Sequence, residues 1–428
     1  NLKAVACMGF QRPGIHDMER VKSLVTDITN DMVKDPSGMI MVLSNTGTPG
    51  AMGPHLAVHD VPIKNWSGNN VEDFPKEKWG KVGWDALEKY VVEKYACEDC
   101  KIACGGWLQV SNGKYPIKKT HKPEYESLAA FGPDCLNDNI ESLIYANELC
   151  NSYGLDTIGT GSTIALAIEC YENGLLTKSD TDGMELTWGN SDVIVELVHK
   201  IAKREGIGDI LAEGGKIAAD KIGKDAQPMA MHVGGELMPM HDPRQAPGWG
   251  ATYASDPGPG KHTRGGTQFA EDGHGPELIC EMLGIPTKLE KYNSEGKGKY
   301  HAIMAGWQHL TNTSGACLFA ADGLNFRFID VMKAITGWDL NPENLVQTGQ
   351  RIATMMHAFN LKHGFKPSDF TIPPRVCGNP PLTAGKLKDV KVDFEELKRQ
   401  YYEAMGYDVD TANIQRATIE SLGLQDIL

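Results

Sequence analysis

The chain reads as a mainly α protein, two multihelical domains with small β insertions. Three observations carry that reading. Apolar residues recur at helical spacing along most of the chain, alternating strand-like runs are few, and Gly- and Pro-rich interruptions gather at 46–54, 239–266 and 367–386. The clearest helix is 192–203. There Val193, Ile194, Val195, Leu197, Val198, Ile201 and Ala202 form one apolar face, and Lys200, Lys203 and Arg204 collect near the carbonyl-rich end. The same period predicts helices over 138–152, 160–173, 209–222, 344–362, 393–405 and 411–421. Within 107–117 an Asn112-Gly113 pair separates two short alternating runs and predicts a hairpin. The segment 239–266 is long, polar and turn-rich, which makes it both a domain junction and a candidate part of a site. We therefore place a boundary near 240, with helical domains over 13–240 and 241–428.

Composition narrows the function. The 428 residues carry 42 Lys+Arg against 56 Asp+Glu, a net charge of −14, which argues against nucleic acid as a partner. No uncharged apolar stretch of about 18 residues occurs, so no membrane-spanning helix is expected. The opening Asn1-Leu2-Lys3-Ala4-Val5-Ala6-Cys7 lacks the layout of a secretory signal and looks like the middle of a larger protein. Ten cysteines form one tight cluster and scattered singles rather than a disulfide framework, which points to a reducing, cytoplasmic setting.

The cluster is Cys97-Glu-Asp-Cys100-Lys-Ile-Ala-Cys104, a C-x2-C-x3-C run. Three thiolates so close together suit one face of a cubane iron–sulfur cluster that takes a further ligand from elsewhere. Zinc is the rival, although no second knuckle follows, and free structural thiols are the bland alternative. The preferred fourth ligand is Cys317. It lies in one of two similar motifs, Asn151-Ser-Tyr-Gly154-Leu155-Asp156-Thr157 and Asn312-Thr-Ser-Gly315-Ala316-Cys317-Leu318, one in each half. Both follow a helical run and contain a Gly, where backbone amides approach a flat ligand without Cβ obstruction.

Several motifs then occur in order: Asn1-Leu-Lys-Ala-Val-Ala, the cysteine run, Pro123-Glu124-Tyr125-Glu126-Ser127-Leu128, Gly154-Leu-Asp156-Thr157-Ile158, Leu211-Ala-Glu-Gly214, His241-Asp242-Pro243-Arg244, Gly315-Ala-Cys317-Leu318-Phe319 and Gly349-Gln-Arg-Ile352. Together they resemble, over the whole chain, the aldehyde:ferredoxin oxidoreductase family of tungsten–pterin enzymes, with the class II benzoyl-CoA reductase catalytic subunits as relatives. The resemblance implies a β-rich N-terminal base domain followed by two helical domains. Residues 1–12 would be the end of that base domain, the rest of which is missing here.

Residue by residue, the resemblance implies a [4Fe-4S] cluster on Cys97, Cys100, Cys104 and Cys317. It also implies a tungsten-bis(pterin), or its molybdenum counterpart, at the paired motifs through Asn151, Gly154, Leu155, Asp156, Asn312, Gly315 and Ala316, with Mg at the pterin phosphates as a further option. The family pattern opens with Asp where this chain has Asn151 and Asn312, and Ala316 replaces the usual Leu. Asn offers one carbonyl acceptor and an amide donor, so those pterin contacts should be weaker or differently oriented. Glu126 and His262 match the family's glutamate near the metal and its histidine. They imply aldehyde oxidation to a carboxylic acid, with His262 hydrogen-bonding to the carbonyl oxygen and Glu126 taking up a proton. Electrons would pass through the cluster to ferredoxin or an iron–sulfur partner subunit, in the cytoplasm of an anaerobic prokaryote.

Two departures matter. Tyr145 and Glu148 stand where iron-bridged family dimers carry Glu-x-x-His, so no bridging iron is expected and the oligomeric state stays open. Cys135 falls where the aryl-CoA reductases place a metal-binding cysteine, which motivates reduction of an aryl thioester as the alternative activity. A third reading is a non-catalytic iron–sulfur electron-transfer subunit, its pterin site lost through the Asn replacements.

The bland readings complete the expectation. Glu126 doubles as a solvated carboxylate at a helix start, and His262 as an exposed loop residue. His241-Asp242-Pro243-Arg244 reads as a buried polar turn, with Arg244, Lys261 and Arg264 as candidates for neutralising pterin phosphates. Cys150, Cys170, Cys280, Met238, Met240, Trp66, Trp249 and Trp307 read as packing.

Overall fold

A computed structural model describes residues 4–10, 14–34, 38–273, 275, 277–323 and 327–426. Parts of the opening motif and of segment 1–12 lie outside them. The described residues are mainly helical, with one three-stranded and one two-stranded sheet.

The predicted helices form, with local reasons for their ends. Ile140–Tyr153 starts at Asn139, whose side chain accepts from the Glu141 and Ser142 amides, and stops at Gly154 in the left-handed region (φ 70°). Asp156 then caps Thr157–Glu172, its carboxylate accepting from the Gly159 amide at 2.6 Å. Ser191–Lys203 buries the expected apolar face and is capped by Asn190. Pro342–Lys362 opens with Pro342 in the first turn and a reciprocal Asn341/Asn344 capping box, and Phe394–Ala404 opens on Asp393.

Three expectations change. The 209–222 run is two helices, Ile207–Leu211 and Gly215–Ile222, because Gly214 between them takes φ 86°. The 411–421 run shortens to Arg416–Ser421, its front half drawn into a bridge between Tyr407 and Ile414. The turn-rich 239–266 segment contains a helix, Pro247–Ser255, with every residue buried. A helix buried on all sides shows no amphipathic period, so the sequence pattern could not reveal it.

The larger sheet is antiparallel, β1 (Val91–Tyr95), β2 (Gly105–Val110) and β3 (Ile117–His121), in that order. The Asn112-Gly113 turn lies between β2 and β3, but the last pair is Val110 with Ile117 and the register shifts. The connection is therefore a longer, bulged loop rather than a two-residue turn. The connection from β1 to β2 holds Cys97, Cys100 and Cys104.

The largest apolar core draws on residues from Met52 to Met240 around the buried helix Thr157–Glu172. Further cores, built mostly from later residues, collect around Trp249 and Phe394, Trp307 and Tyr300, and Tyr401 and Tyr407. Cys150, Cys170, Cys280, Met238 and Met240 are fully buried, as packing residues should be. Among the described residues no helix is long and apolar enough to cross a membrane.

Candidate active site and cysteine centre

Glu126 sits in the first turn of the helix Tyr125–Phe131, which turns its largely buried side chain toward the segment after 238. Its Oε2 accepts from the Met240 amide at 2.7 Å. Its Oε1 faces Nε2 of His241 at 3.4 Å and Nε2 of His262 at 3.5 Å, and has no hydrogen-bond partner of good geometry. Behind His241, Nδ1 lies 2.5 Å from Oδ2 of Asp60, and the same oxygen accepts from Nδ1 of His55 at 2.7 Å. Trp249 and Tyr125 stack on the two sides of the His241 ring, at 4.4 and 4.9 Å between centroids.

Burial sets the charges here, modified by these neighbours. It raises the Glu126 carboxyl above its ordinary value; a protonated His241 and the Met240 amide pull the other way without cancelling it. It pushes His262 down to about 4; Asp60 opposes this and Lys261 adds to it, so the ring is neutral near pH 7. Burial alone would raise Asp60, yet the hydrogen bonds of His241 and His55, and the charge of each ring when protonated, hold it well below the carboxylate range. The same pairing raises His55 although its own burial works in the opposite sense.

His262 also lines a cavity of about 530 Å³ that includes Leu155, Asp156, Gly214, Glu236 and Lys261. The first paired motif thus shares a cavity with a predicted catalytic histidine, as does Gly214 of the Leu211–Gly214 motif. The second motif reaches the neighbouring residue: Asn312 Nδ2 donates to the Thr263 carbonyl at 3.3 Å and to Gln308 O at 2.8 Å. Gly315 (φ 81°) has open space where a Cβ would stand, with Ala316 half-buried beside it, and Asn151 is exposed on the last turn of its helix. Glycine backbones at 214 and 315 with free space beside them, and a polar cavity wall, fit a flat polar cofactor. The cavity carries one exposed cation, Lys261.

Arg244, expected at a pterin phosphate, is buried. Its guanidinium is 1% exposed and closes on Asp242 at 2.6 to 3.1 Å, with Trp66 O and Arg375 O as further acceptors. These contacts tie the turn after His241 to the segments at 66 and 375. Arg264 likewise anchors on Asp256 at 3.3 Å, which holds the loop that carries His262.

The cysteine loop lies apart from this cavity. Ile102 packs with Ile40 and Leu43, and Cys100, Cys104, Phe319 and Ala320 pack around the three. The chain just after Cys317 is thereby brought against the C-x2-C-x3-C run, whose Cys97 is exposed like Cys317 itself. Burial, then the charges of Glu124, Cys100 and Cys317, push the Cys104 thiol up, and Lys122 opposes them. Four thiolates on one zinc would stand about 3.8 Å apart. Among the described residues, no group of three or more ligand atoms within 4.8 Å of one another contains a cysteine. Soft sulfur donors on two facing segments, too spread for one ion, fit a cluster in which each thiolate takes its own iron.

Cys135 does not join either group. It is fully buried, its Sγ 3.4 Å from Ala130 O and 3.6 Å from Gly161 O, and burial raises its thiol far above the ordinary value. Tyr145 stacks on Tyr115, and Glu148 accepts from Ser152 and Thr120.

The sequence sets His55 and Asp60 aside as differently spaced from the acid and histidine cluster of the aryl-CoA reductases, and reads His241 as part of a buried polar turn. Asp60 and His241 are 181 positions apart, beyond any local pattern. The signal that was present, a histidine beside a polar turn, read as structural.

A buried carboxylate–histidine group beside a cavity, with a cysteine run on a separate loop packed against the segment after Cys317, fits the oxidoreductase class. The family description "Aldehyde ferredoxin oxidoreductase, domains 2 & 3" matches residues 23–424, and the chain belongs to that family. It is 32% identical to the tungsten-containing aldehyde ferredoxin oxidoreductase of Pyrococcus furiosus over 436 residues, all of this chain and 67% of the relative. It is 28% identical to the aliphatic sulfonate oxidoreductase, WOR-like subunit, of the same organism, over 99% of this chain and 64% of that protein. The chain thus spans about two thirds of the length of these relatives. Among solved structures it resembles the active site complex BamBC of benzoyl coenzyme A reductase, at TM-score 0.71 and 18% identity, over 96% of this chain and 65% of the other, a likeness of fold.

Proposed function

We propose that this chain forms the helical part of a tungsten- or molybdenum-pterin oxidoreductase that oxidises aldehydes to carboxylic acids and passes electrons through a [4Fe-4S] cluster to a ferredoxin-type acceptor. The observation that carries the reading is the approach of His262 and Glu126 at 3.5 Å on the edge of a cavity shared with Asp156. Asp156, Leu155, Gly154 and Asn151 would hold one pterin, and Asn312, Gly315 and Ala316 the other. The bound metal–pterin would accept the two electrons of the oxidation. The protein's own part is positional and acid–base. Neutral His262 donates a hydrogen bond to the carbonyl oxygen, and Glu126, its proton affinity raised by burial, takes up a proton. Cys97, Cys100, Cys104 and Cys317 would bind the cluster.

A second reading is favoured by the density of protonatable groups, His55, Asp60, Glu126, His241 and His262, which also suits proton-coupled reduction of an aryl thioester. Metal analysis of the anaerobically isolated protein comes first. About four Fe with one W or Mo supports a pterin enzyme, iron alone supports the electron-transfer reading, and zinc without iron removes the cluster. Aldehyde-dependent reduction of a viologen dye then supports oxidation, whereas oxidation of reduced dye by an aryl-CoA supports the alternative.

A further inference from the structure

His241 bridges two carboxylates that the sequence keeps far apart, Nδ1 toward Asp60 and Nε2 toward Glu126. Its ring has no freedom to leave. Trp249 and Tyr125 close both faces, and the Tyr253 hydroxyl donates to its backbone carbonyl at 3.0 Å. Asp60 is just as fixed: it is 1% exposed, its own carbonyl accepts from the Asp242 amide at 2.6 Å, and Oδ2 accepts from His55 as well. An ionised Asp60 requires the proton of a neutral His241 to sit on Nδ1. The Nε2 lone pair is then aimed at Glu126 Oε1, the buried oxygen without a good hydrogen bond. The charged or titratable groups facing His241 are Asp60, Glu126, His55 and His262, with the hydroxyls of Tyr125 and Tyr253 on neighbouring elements.

We propose that His241 is the second proton acceptor of the site, taking a proton from Glu126, while Asp60 and His55 are positioning residues that hold it in the receptive tautomer. The inference rests on the aldehyde-oxidation reading. In that reaction water would add its oxygen to the aldehyde carbon and the C–H bond would break, the metal–pterin that the paired motifs would hold supplying the two-electron acceptor. Two protons are released. Glu126 holds one, and Nε2 of His241 holds the other until both reach solvent. His262 stays neutral and keeps its place as hydrogen-bond donor. The logic is that of a carboxylate-oriented histidine in hydrolases, applied to an oxidation.

The test uses the full-length holoenzyme with ¹⁵N-labelled histidine. In the wild type the His241 signals should be those of the Nδ1–H tautomer, and in Asp60→Asn they should shift toward Nε2–H, a readout independent of turnover. His241→Gln should lower kcat on the order of a hundredfold with aldehyde KM nearly unchanged, and remove one limb of the kcat pH profile. An Nε2–H tautomer in the wild type overturns the proposal even where His241→Gln fails to fold. An active wild type with kcat and pH profile unchanged in His241→Gln overturns the proposal alone. A metal-loaded wild type inert to every aldehyde overturns the reading of the site, and the proposal with it.

Discussion

Gly306 and Gly349 meet back to back where the helices Lys297–Thr313 and Pro342–Lys362 cross; a Cβ on Gly349 would stand 1.6 Å from the Gly306 carbonyl oxygen. Gly349→Ala is therefore expected to destabilise the protein by about 3 kcal/mol, since the two backbones must separate. Gly53, in the helix Met52–Val58, has open space at its Cβ position, and Gly53→Ala should be neutral or stabilising by up to about 1 kcal/mol. Chemical denaturation of the two variants checks the opposite signs.

Removing Arg244 would leave Asp242 buried without its guanidinium. Arg244→Met is expected to cost about 3–5 kcal/mol. Arg264→Met removes a partly exposed guanidinium from a buried Asp256 that also faces His309 and the Gly258 amide, and should cost less, about 2 kcal/mol. Thermal melts of both, alongside W or Mo content, distinguish a structural arginine from one that holds a cofactor phosphate. Arg244→Met with unchanged melting and lost metal would reverse this assignment.

The cysteines separate by content of metal. Cys317→Ser should lose most of the roughly four Fe expected per chain. Cys135→Ala should keep both iron and W or Mo, because the thiol is enclosed among backbone carbonyls. Loss of W or Mo in Cys135→Ala would restore it as a metal ligand.

Burial pushes His301 down to about 4, with Asp256 opposing and His309 adding; the ring is held between Thr267 Oγ1 at 2.9 Å and Ser255 Oγ at 3.2 Å. An unfolded histidine titrates near 6.5, so between about 4 and 6.5 the unfolded state binds the extra proton. Stability then rises with pH across that window, and acidification to pH 4 withdraws about 3 kcal/mol through this residue. Urea midpoints measured from pH 7 down to 4 should fall, and fall less steeply in His301→Gln.

What the sequence reveals depends on how local the cause is. Caps at Asn139, Asp156 and Asn190 and the apolar face of Ser191–Lys203 act within a few residues, so the helices there were legible. The cysteine run could be singled out from sequence, because ligand spacing is itself a sequence property. The helix Pro247–Ser255 escaped because it is buried on every side and rich in glycine. Glu126 and His262 were singled out through family resemblance, since neither carries a distinctive pattern of its own. His55, Asp60 and His241 escaped because their relationship exists only after distant segments meet. The Asp242–Arg244 turn was read as a structural lock, and its buried ion pair has that character; the histidine at its head has another.

Asp60, Glu126 and the 239–266 segment that carries His241 and His262 are far apart in the chain, and Asp60 and His241, 2.5 Å apart, are separated by 181 positions. Closing such loops costs entropy before any contact rewards it, so arrangements of this kind form late in folding. A growing polypeptide that has passed the cysteine run but not residue 262 holds only part of this acid–base group. The group is thus complete only once the segment that carries His262 has been made.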